Sequence, residues 1–502
     1  MESLKLDPRA MSPATLALYA SVLFALFKFL QAIYRLYFHP LSHFPGPRAA
    51  ALSRNWLWQQ VQTGHPEEIL EQLHRDRYGG ARALRTAPNE LHITDVAAYK
   101  TIYSQTNPFP KEPSFYDCFH TPHTLFAETD PALHRERRKL LNPLFSRAGV
   151  AKLEPVILEK VQEMGAKLRR LVTTNPSGSP IDVSNMVRCV TVDVISEFAF
   201  GQSAGLLAER PDAFSAAFLD AFDVAAVVPY RLHYSALQRL LAAVVPLAWV
   251  GKFDPAAGEM ARLLKFANDS FYAYAKRTTT AAHPVVFDYM KSVPEQLQPA
   301  EAMDVLVAGS DTTAYTLATG LFHILRMPEV KERLAREVRE AVPDKEGLVP
   351  FLQLEKIDYL RACVKESLRV AMPVPGALPR IVPARSQPFE VDGKIIPPGT
   401  IVGMSAYTMH YSEELWGKDA KVFNPDRWLG PNAKHLDTYL CTFSKGARQC
   451  IGINVAHTEA TMVLAYLFRN FQMELKTNEF RHRDVFTQQV LEPGVLVDFI
   501  PL

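Results

Sequence analysis

This 502-residue sequence lacks an excess of charge of either sign. Its 55 lysine and arginine residues stand against 53 aspartate and glutamate residues, and the formal net charge is +2. No run of like charges predicts a charged tail. Proteins that bind nucleic acid present a basic surface, so the sequence predicts no nucleic-acid partner.

Cysteine is also scarce, and its pattern argues against two kinds of site. The number of cysteines is odd, and no two of them form a CxxC pair. The five are Cys118, Cys189, Cys363, Cys441 and Cys450. A disulfide framework and a structural zinc site are both poor interpretations of this pattern. Four of the five are expected to be buried thiols in a reducing compartment.

Charged residues are absent from one N-terminal stretch, Ala14–Phe27, and apolar sequence resumes after Lys28. A membrane-spanning helix needs about 20 apolar residues, so this stretch can span a bilayer if the Lys28 side chain extends towards the headgroups. A cleaved signal peptide is the alternative, but the preceding segment is long and of mixed charge, and aromatic residues stand where cleavage needs small ones. Lys28 and Arg35 predict that the rest of the chain faces the cytosol. We expect residues 1–38 to be a signal-anchor and residues 39–502 to be one domain.

Helical periodicity dominates the rest of the chain, with short alternating stretches between the helices. The predicted helices are 67–78, 134–144, 155–171, 185–200, 214–227, 257–276, 299–325, 328–342, 359–370 and 452–471. The predicted strands are 81–85, 90–94, 378–382, 389–391, 394–396 and 400–404, and the C-terminus alternates like a hairpin. The 37 prolines predict long irregular connections. The expected fold class is mainly α with small β-sheets (α+β).

One of the five cysteines lies in a loop with several constrained residue types. The segment is Phe443-Ser-Lys-Gly446-Ala-Arg448-Gln-Cys450-Ile-Gly452, and the last predicted helix follows it directly. Gly446 allows a tight turn, and Gly452 allows a close backbone approach. A cysteine at a helix N-terminus is favoured as a thiolate by the helix dipole and the free amides. Arg448 is placed to bind an anionic group of the same ligand, and a thiolate beside a cation suits haem with its propionates.

This segment matches the FxxGxRxCxG haem-binding signature of the cytochrome P450 family at every position. The chain resembles that family from Phe44 to its end. The resemblance implies a cytochrome P450 fold after the anchor helix, with haem b as the cofactor. Cys450 would be the axial iron ligand, Arg448 would bind a propionate and Phe443 would shield the sulfur. A thiolate ligand donates electron density to the iron, which favours cleavage of dioxygen.

A carboxylate and a guanidinium, Glu366 and Arg369, lie three residues apart on one predicted helix and therefore share a face. Spacing alone indicates only a surface ion pair, since Glu259 and Arg262 have the same spacing. The resemblance gives the first pair a further meaning. Arg427 stands where the family has the third member of a buried triad that stabilises the core on the haem side.

The stretch Ala308-Gly-Ser-Asp311-Thr312-Thr313 consists of poor helix formers and by itself could be a loop or a helix start. The resemblance identifies it with the distal-helix motif, in which small residues open a groove for dioxygen. Thr312 would steady activated oxygen, and Asp311 would relay protons to it. Pro294 and Pro299 predict that this helix begins only about ten residues before the motif's glycine, whereas relatives usually have a longer stretch. We therefore expect a shortened distal wall.

Three further residues match positions that bind the haem propionates in the family. His134 and Arg138 lie at i and i+4 of one predicted helix, so both could hold one propionate. Histidine here replaces the tryptophan of many relatives. Arg380 matches the third position. Basic residues at a helix start usually face solvent, which remains the expectation for Arg135 and Arg137.

The resemblance implies a microsomal monooxygenase similar to those of fungal secondary metabolism. It would insert one oxygen atom from O2 into a lipophilic substrate, such as a terpenoid, polyketide or alkaloid, at the endoplasmic reticulum membrane. No Gly-rich cofactor loop follows a predicted strand, so we expect electrons from an NADPH-dependent flavoprotein reductase that docks near Lys445. Two alternatives stay open: a haem-thiolate isomerase or dehydratase that uses no dioxygen, and a non-enzymatic haem-binding membrane protein. The expected pocket walls are 109–125, 214–247, 303–313, 374–377 and 486–490.

Overall fold

The computed structural model describes residues 12–174, 180–343 and 349–502. The α-helices of these residues are α1 Pro13–Ile33, α2 Arg48–Leu52, α3 Asn55–Val61, α4 Pro66–Gln72, α5 Val96–Ile102, α6 Pro113–Tyr116, α7 Pro131–Phe145, α8 Arg147–Thr174, α9 Val183–Phe200, α10 Leu206–Glu209, α11 Ala217–Ala225, α12 Val228–Tyr234, α13 Ala236–Val244, α14 Leu247–Val250, α15 Pro255–Ala275, α16 Gln298–Arg326, α17 Pro328–Ala341, α18 Phe351–Leu354, α19 Asp358–Ala371, α20 Ala406–His410, α21 Glu413–Trp416, α22 Ala433–Asp437 and α23 Ile453–Asn470. The predicted fold class, mainly α with small β-sheets, is confirmed.

The strands form small sheets beside the helices. They are β1 Ala83–Ala87, β2 Glu90–Ile93, β3 Ile181–Asp182, β4 Arg380–Ile381, β5 Phe389–Val391, β6 Lys394–Ile396, β7 Ile401–Gly403, β8 Phe471–Leu475, β9 His482–Asp484, β10 Gln488–Val490 and β11 Leu496–Pro501. The largest sheet has the order β1-β2-β7-β4, in which β2 and β7 are parallel. A second sheet has the order β3-β11-β8, and β5-β6 and β9-β10 are antiparallel pairs.

Helix α16 lies at the centre of the helical core, where it packs against α9, α15, α19 and α23. Two glycines allow this close packing. A Cβ at Gly309 would lie 2.2 Å from the Ile195 side chain, and one at Gly320 would lie 2.2 Å from Ser367 Oγ. Real Cβ contacts are never this short, so any side chain at either position would push the helices apart.

Most predicted elements are present, and the exceptions have physical reasons. Helix α16 begins at Gln298 with Pro299 in its first turn, as proline favours, so the predicted start is confirmed. The predicted start of a helix at Pro155 is wrong, because α8 begins at Arg147 and contains that proline. Helices α12, α13 and α14 were not predicted; they are short and separated by Ser235 and Pro246.

Helix α1 continues into a π-helical turn, Tyr34–Phe38. Together they form a helix, Pro13–Phe38, that is long and apolar enough to span a membrane, and its central stretch is not buried by the rest of the protein. Ser12 caps its start by accepting a hydrogen bond from the Thr15 amide. Residues 1–11 of the predicted anchor segment lie outside the described residues.

The carboxylate of Glu366 ties α19 to the chain that leads towards the cysteine loop. Arg369 Nη2 and Nε donate to its two oxygens at 2.7 and 2.9 Å. Arg427 Nε donates to Oε1 at 3.0 Å. The Trp428 indole and the Asn424 amide add donors at 2.9 and 2.8 Å. Since Glu366 and Arg369 are completely buried, this network compensates charges that water cannot reach.

Replacing Glu366 by glutamine should leave the buried Arg369 guanidinium without an anionic partner, and Arg427 with Asp419 as its one remaining carboxylate. We expect the free energy of unfolding to fall by about 3–5 kcal/mol, measured by chemical denaturation. Glu259→Gln is the matched control, because that residue has the same spacing to Arg262, whose side chain is 77% exposed. The control substitution should lower the free energy of unfolding by less than about 1 kcal/mol. Equal losses in both variants would contradict the role of the triad.

Candidate active site

A cavity of about 790 Å³ lies between α16 and the loop that precedes α23. Ala308 and Thr312 line it from α16, and Cys450 lines it from the loop. All five stretches predicted to form the pocket walls contribute lining residues. Most other side chains on the wall are apolar, so the cavity suits a lipophilic ligand.

Backbone geometry presents the Cys450 side chain to this cavity. Gly446 has a φ of +76°, and a Cβ there would lie 2.2 Å from the Tyr103 carbonyl oxygen. Only glycine fits such a position. The Cys450 amide donates to the Phe443 carbonyl at 2.9 Å, which closes the loop. The Cys450 side chain is exposed, whereas the other four cysteines are buried; its exposure is towards the cavity.

The acidity of Cys450 differs from the expectation drawn from the sequence. Burial raises the pKa of the Cys450 thiol, and the Gly452 amide and the Arg138 guanidinium oppose this rise without outweighing it. Helix α23 begins only at Ile453, so the helix N-terminus alone does not produce a thiolate. A metal ion deprotonates a thiol that coordinates it, so a metal ion bound by Cys450 would stabilise its thiolate form.

Basic side chains gather on one side of the cavity. Arg448 donates to the Glu128 and Thr129 carbonyls at 2.8 and 3.2 Å. Arg138 donates to the Gln449 carbonyl at 2.6 Å. Arg380 is buried and donates to the Tyr116 hydroxyl at 2.6 Å, but its Nε atom has no hydrogen-bond partner among the described residues.

These groups repel one another, which indicates that an anion belongs among them. Burial and the neighbouring cations lower the pKa of His134 to about 3. The pKa of Lys111 is lowered well below its usual range by burial, Arg380 and Arg448. Burial and Arg380 lower the pKa of Arg448 to about 10. The cluster and the orphaned Arg380 Nε fit the two carboxylates of haem.

Helix α16 forms the opposite wall. The Thr312 hydroxyl donates to the Ala308 carbonyl at 2.9 Å, one turn earlier, and Ala308 faces the cavity. The small residues Ala308 and Gly309 both line the cavity beside Thr312. The missing side chain of Gly309 also makes room for Ile195 of α9.

Asp311 lies beside Thr312 in sequence but is held away from the cavity by an ion pair. Its Oδ1 accepts from Arg188 Nε at 2.8 Å. Arg188 also binds Asp223 of α11 at 2.9 Å, and Gln489 donates to Asp223 at 2.8 Å. Burial raises the pKa of Asp311, and Arg188 opposes the rise. The carboxylate is thus buried, paired and linked to the far wall of the cavity.

Three residues of the site were missed in the sequence. Lys111 is buried, with its ammonium group 4.1 Å above the Tyr116 ring. Glu459 lines the cavity from α23, and burial raises its pKa well above the usual range. Asp304 also lines the cavity, and burial raises its pKa to about 7. Of the three, only Asp304 could have been found from the sequence, since it lies one turn before Ala308 on the same helix face as Thr312.

Comparison with known proteins agrees with this geometry. The family model for cytochrome P450 matches residues 45–495. Cytochrome P450 monooxygenase macH of Penicillium terrestre is 34% identical over 486 residues, which cover 92% of each chain. Cytochrome P450 monooxygenase sol6 of Alternaria solani is 34% identical over 451 residues, which cover 87% of this chain and 95% of the relative. Cytochrome P450 monooxygenase aneF of Aspergillus aculeatus is 30% identical over 462 residues, with coverages of 89% and 91%. The chain therefore belongs to the cytochrome P450 family and is an oxidoreductase whose cofactor is haem bound through a cysteine thiolate.

Proposed function

We propose that the protein is a monooxygenase in which Cys450 binds the iron and Thr312 acts on the opposite side. The reaction is RH + O2 + 2e⁻ + 2H⁺ → ROH + H2O. One observation carries the proposal: Cys450 and Thr312 line the same largely apolar cavity from two different elements. Members of the family take electrons from a redox partner and act with O2 on lipophilic substrates.

Each part of the site has a task in this reaction. Haem bound through Cys450 supplies the activation of dioxygen, because thiolate donation favours O–O cleavage. Arg138, Arg380 and Arg448 hold its propionates, together with His134. The apolar wall excludes bulk water, so protons must arrive along side chains.

Residues of α16 deliver the protons. The Thr312 hydroxyl donates its hydrogen to the Ala308 carbonyl, which leaves its oxygen free to accept a hydrogen bond; it could pass on a proton after rotating away from that carbonyl. Asp311, whose pKa is raised by burial, can carry a proton once its ion pair with Arg188 loosens. Asp311 carries one proton at a time, so it would have to take up a proton from solvent before each of the two transfers; Asp223, which shares Arg188 and is 40% exposed, lies on a route to solvent.

The proposed substrate is a terpenoid, polyketide or alkaloid of fungal secondary metabolism. The named relatives come from Penicillium, Alternaria and Aspergillus, and the wall is mainly apolar. The choice among scaffolds rests on analogy with the family. Product analysis after co-expression with a reductase and a panel of such precursors identifies the substrate.

The proposed electron donor is an NADPH-dependent flavoprotein reductase. A surface groove behind the cysteine loop is lined by Phe443 and Gln449 of that loop. Its charged residues are the cations Arg147, Arg361, Lys365 and Lys445 and the anions Glu154, Glu355 and Asp437. Glu355 pairs with Arg147, and Asp437 pairs with Lys365. The groove thus keeps a small excess of positive charge, which would favour the approach of an acidic partner.

We propose that residues 1–38 anchor the protein as a single-pass protein of the endoplasmic reticulum membrane, with the catalytic domain in the cytosol. A second apolar surface supports membrane contact. It comprises Leu237, Leu240, Val244, Trp249 and Phe253, all exposed, with Phe253 90% exposed. Exposed apolar patches of this kind mark contact with a membrane or a partner.

Removal of residues 1–38 should release the protein from microsomes washed with alkaline carbonate, whereas the full chain should remain in the membrane pellet. The apolar helix is the part of the chain that can span the bilayer, and the patch on α13 and α14 can only rest on its surface. Immunoblots of pellet and supernatant measure the distribution. Retention of the truncated chain in the washed pellet would contradict a single span.

Cys450→Ala should abolish the strongly red-shifted Soret band that a thiolate-ligated haem gives with carbon monoxide after reduction. The change removes the axial sulfur. Cys189→Ala is the control, since that thiol is buried in α9, and it should keep the band. An intact band in Cys450→Ala would remove this residue as the ligand. A wild-type protein without the band would favour the non-enzymatic alternative.

Thr312→Ala should keep haem but divert reducing equivalents to hydrogen peroxide. We expect the product formed per NADPH to fall by about tenfold or more, because proton delivery loses its hydroxyl. Peroxide, NADPH and product are measured together. Thr312→Ser keeps the hydroxyl and should remain close to wild type. Unchanged coupling in Thr312→Ala would exclude this role, and a reaction that needs no NADPH would favour the isomerase or dehydratase.

A further inference from the structure

A second cavity of about 60 Å³ lies beside the large one. Gly376, in the loop after α19, lines both cavities. The small cavity has several charged and polar residues in its lining, among them Arg54, which pairs with Glu90. Three of them matter here: Glu67 of α4, His92 of β2 and Asp484 of β9. All three are more than nine-tenths buried. None of them takes part in the proposed oxygen chemistry.

Hydrogen bonding fixes which ring nitrogens carry protons here. The Ala81 carbonyl can only accept, so His74 Nδ1, at 2.5 Å from it, carries a proton. Burial lowers the pKa of His74 to about 3, and its Nε2 is therefore an acceptor. His92 Nδ1, at 2.9 Å, must donate to it. His92 Nε2 is then the ring nitrogen left to face Glu67.

Three buried polar atoms without hydrogen-bond partners in the described chain meet at this point. His92 Nε2 and Glu67 Oε2 face each other at 3.4 Å, and neither has a hydrogen-bond partner among the described residues. Asp484 Oδ1 accepts from the Phe486 amide at 2.8 Å and from the Tyr230 hydroxyl at 3.3 Å. Asp484 Oδ2 has no such partner in the described chain. Buried acceptors left unpaired cost free energy, which a donor group would recover.

The wall between the two cavities is thin at Gly376. A Cβ there would lie 3.4 Å from the Tyr230 hydroxyl and 3.7 Å from both Asp484 Oδ2 and Glu67 Oε1. These are ordinary contact distances, and Gly376 does not have a positive φ. The backbone therefore tolerates alanine, and the missing side chain leaves a gap the size of a methyl group beside Glu67 and Asp484, at the residue that lines both cavities.

We propose that Glu67, His92 and Asp484 form a polar subsite of the substrate cavity, which binds a hydroxyl group of the lipophilic substrate through the gap at Gly376. The inference rests on the proposed function, because the ligand is that enzyme's substrate. A hydroxyl is favoured over an ammonium group since a neutral donor loses less hydration on entering an apolar cavity. The subsite would orient the substrate by a group remote from the oxidised carbon.

Binding of two rigid probes, 1-adamantanol and adamantane, to the ferric holoprotein tests the subsite. Gly376→Ala should weaken binding of the alcohol by about tenfold, the typical effect of one lost hydrogen bond to a charged group, and should leave the hydrocarbon within about twofold. Gly430→Ala is the matched control, because a Cβ there meets nothing within 4 Å. Equilibrium dialysis gives the dissociation constants.

Asp484→Asn provides a second variant, in which an amide donor replaces a carboxylate oxygen and can satisfy Glu67 and His92 internally. It should keep or raise the melting temperature and lose the preference for the alcohol. If both variants leave the alcohol-to-hydrocarbon affinity ratio unchanged, the small cavity holds only water and the proposal is wrong. Binding needs no reductase, dioxygen or turnover, so failure of the monooxygenase proposal would leave this result intact.

Discussion

Charge that is buried away from water must be neutralised where it lies, and the haem side of this structure is organised by that requirement. Glu366 receives five hydrogen bonds from Arg369, Arg427, Trp428 and Asn424. These contacts fix α19 against the segment that leads into the cysteine loop. The triad acts on the cofactor only through the position of that loop.

The same requirement has a different outcome in the cluster of basic residues. Arg138 and Arg448 are satisfied by backbone carbonyls, which are dipoles and do not cancel a full charge. Burial, and after it repulsion among the cations, lowers the pKa values of His134, Lys111 and Arg448. A dianionic cofactor removes this repulsion, so haem binding and folding of this region should reinforce each other.

The cysteine loop could be recognised in the sequence because its chemistry is local. Ten consecutive residues carry the turn at Gly446, the cation at Arg448 and the ligand at Cys450, and their order alone is informative. Fold class and the start of α16 were also predicted, since long periodic helices and prolines leave clear patterns.

What the sequence could not predict depends on tertiary burial. Lys111 stands in an irregular segment, and only the fold brings it beside Arg380 and Arg448. The pKa of Cys450 is set by desolvation, which no local pattern reveals. Gly309 also makes room for Ile195, which lies on another helix. Pro155 lies inside α8, because a long helix packed against its neighbours can absorb the loss of one hydrogen bond.

Cys450 is exposed towards the cavity, whereas the other four cysteines are buried. The reactivity of its thiol can therefore report how much cofactor the protein contains. Haem covers the sulfur when it is bound, so a small thiol reagent under native conditions would label only chains that lack haem. One thiol per apoprotein molecule would be counted, and none per holoprotein molecule. The labelled fraction thus measures how much of a preparation is loaded, independently of any absorbance standard.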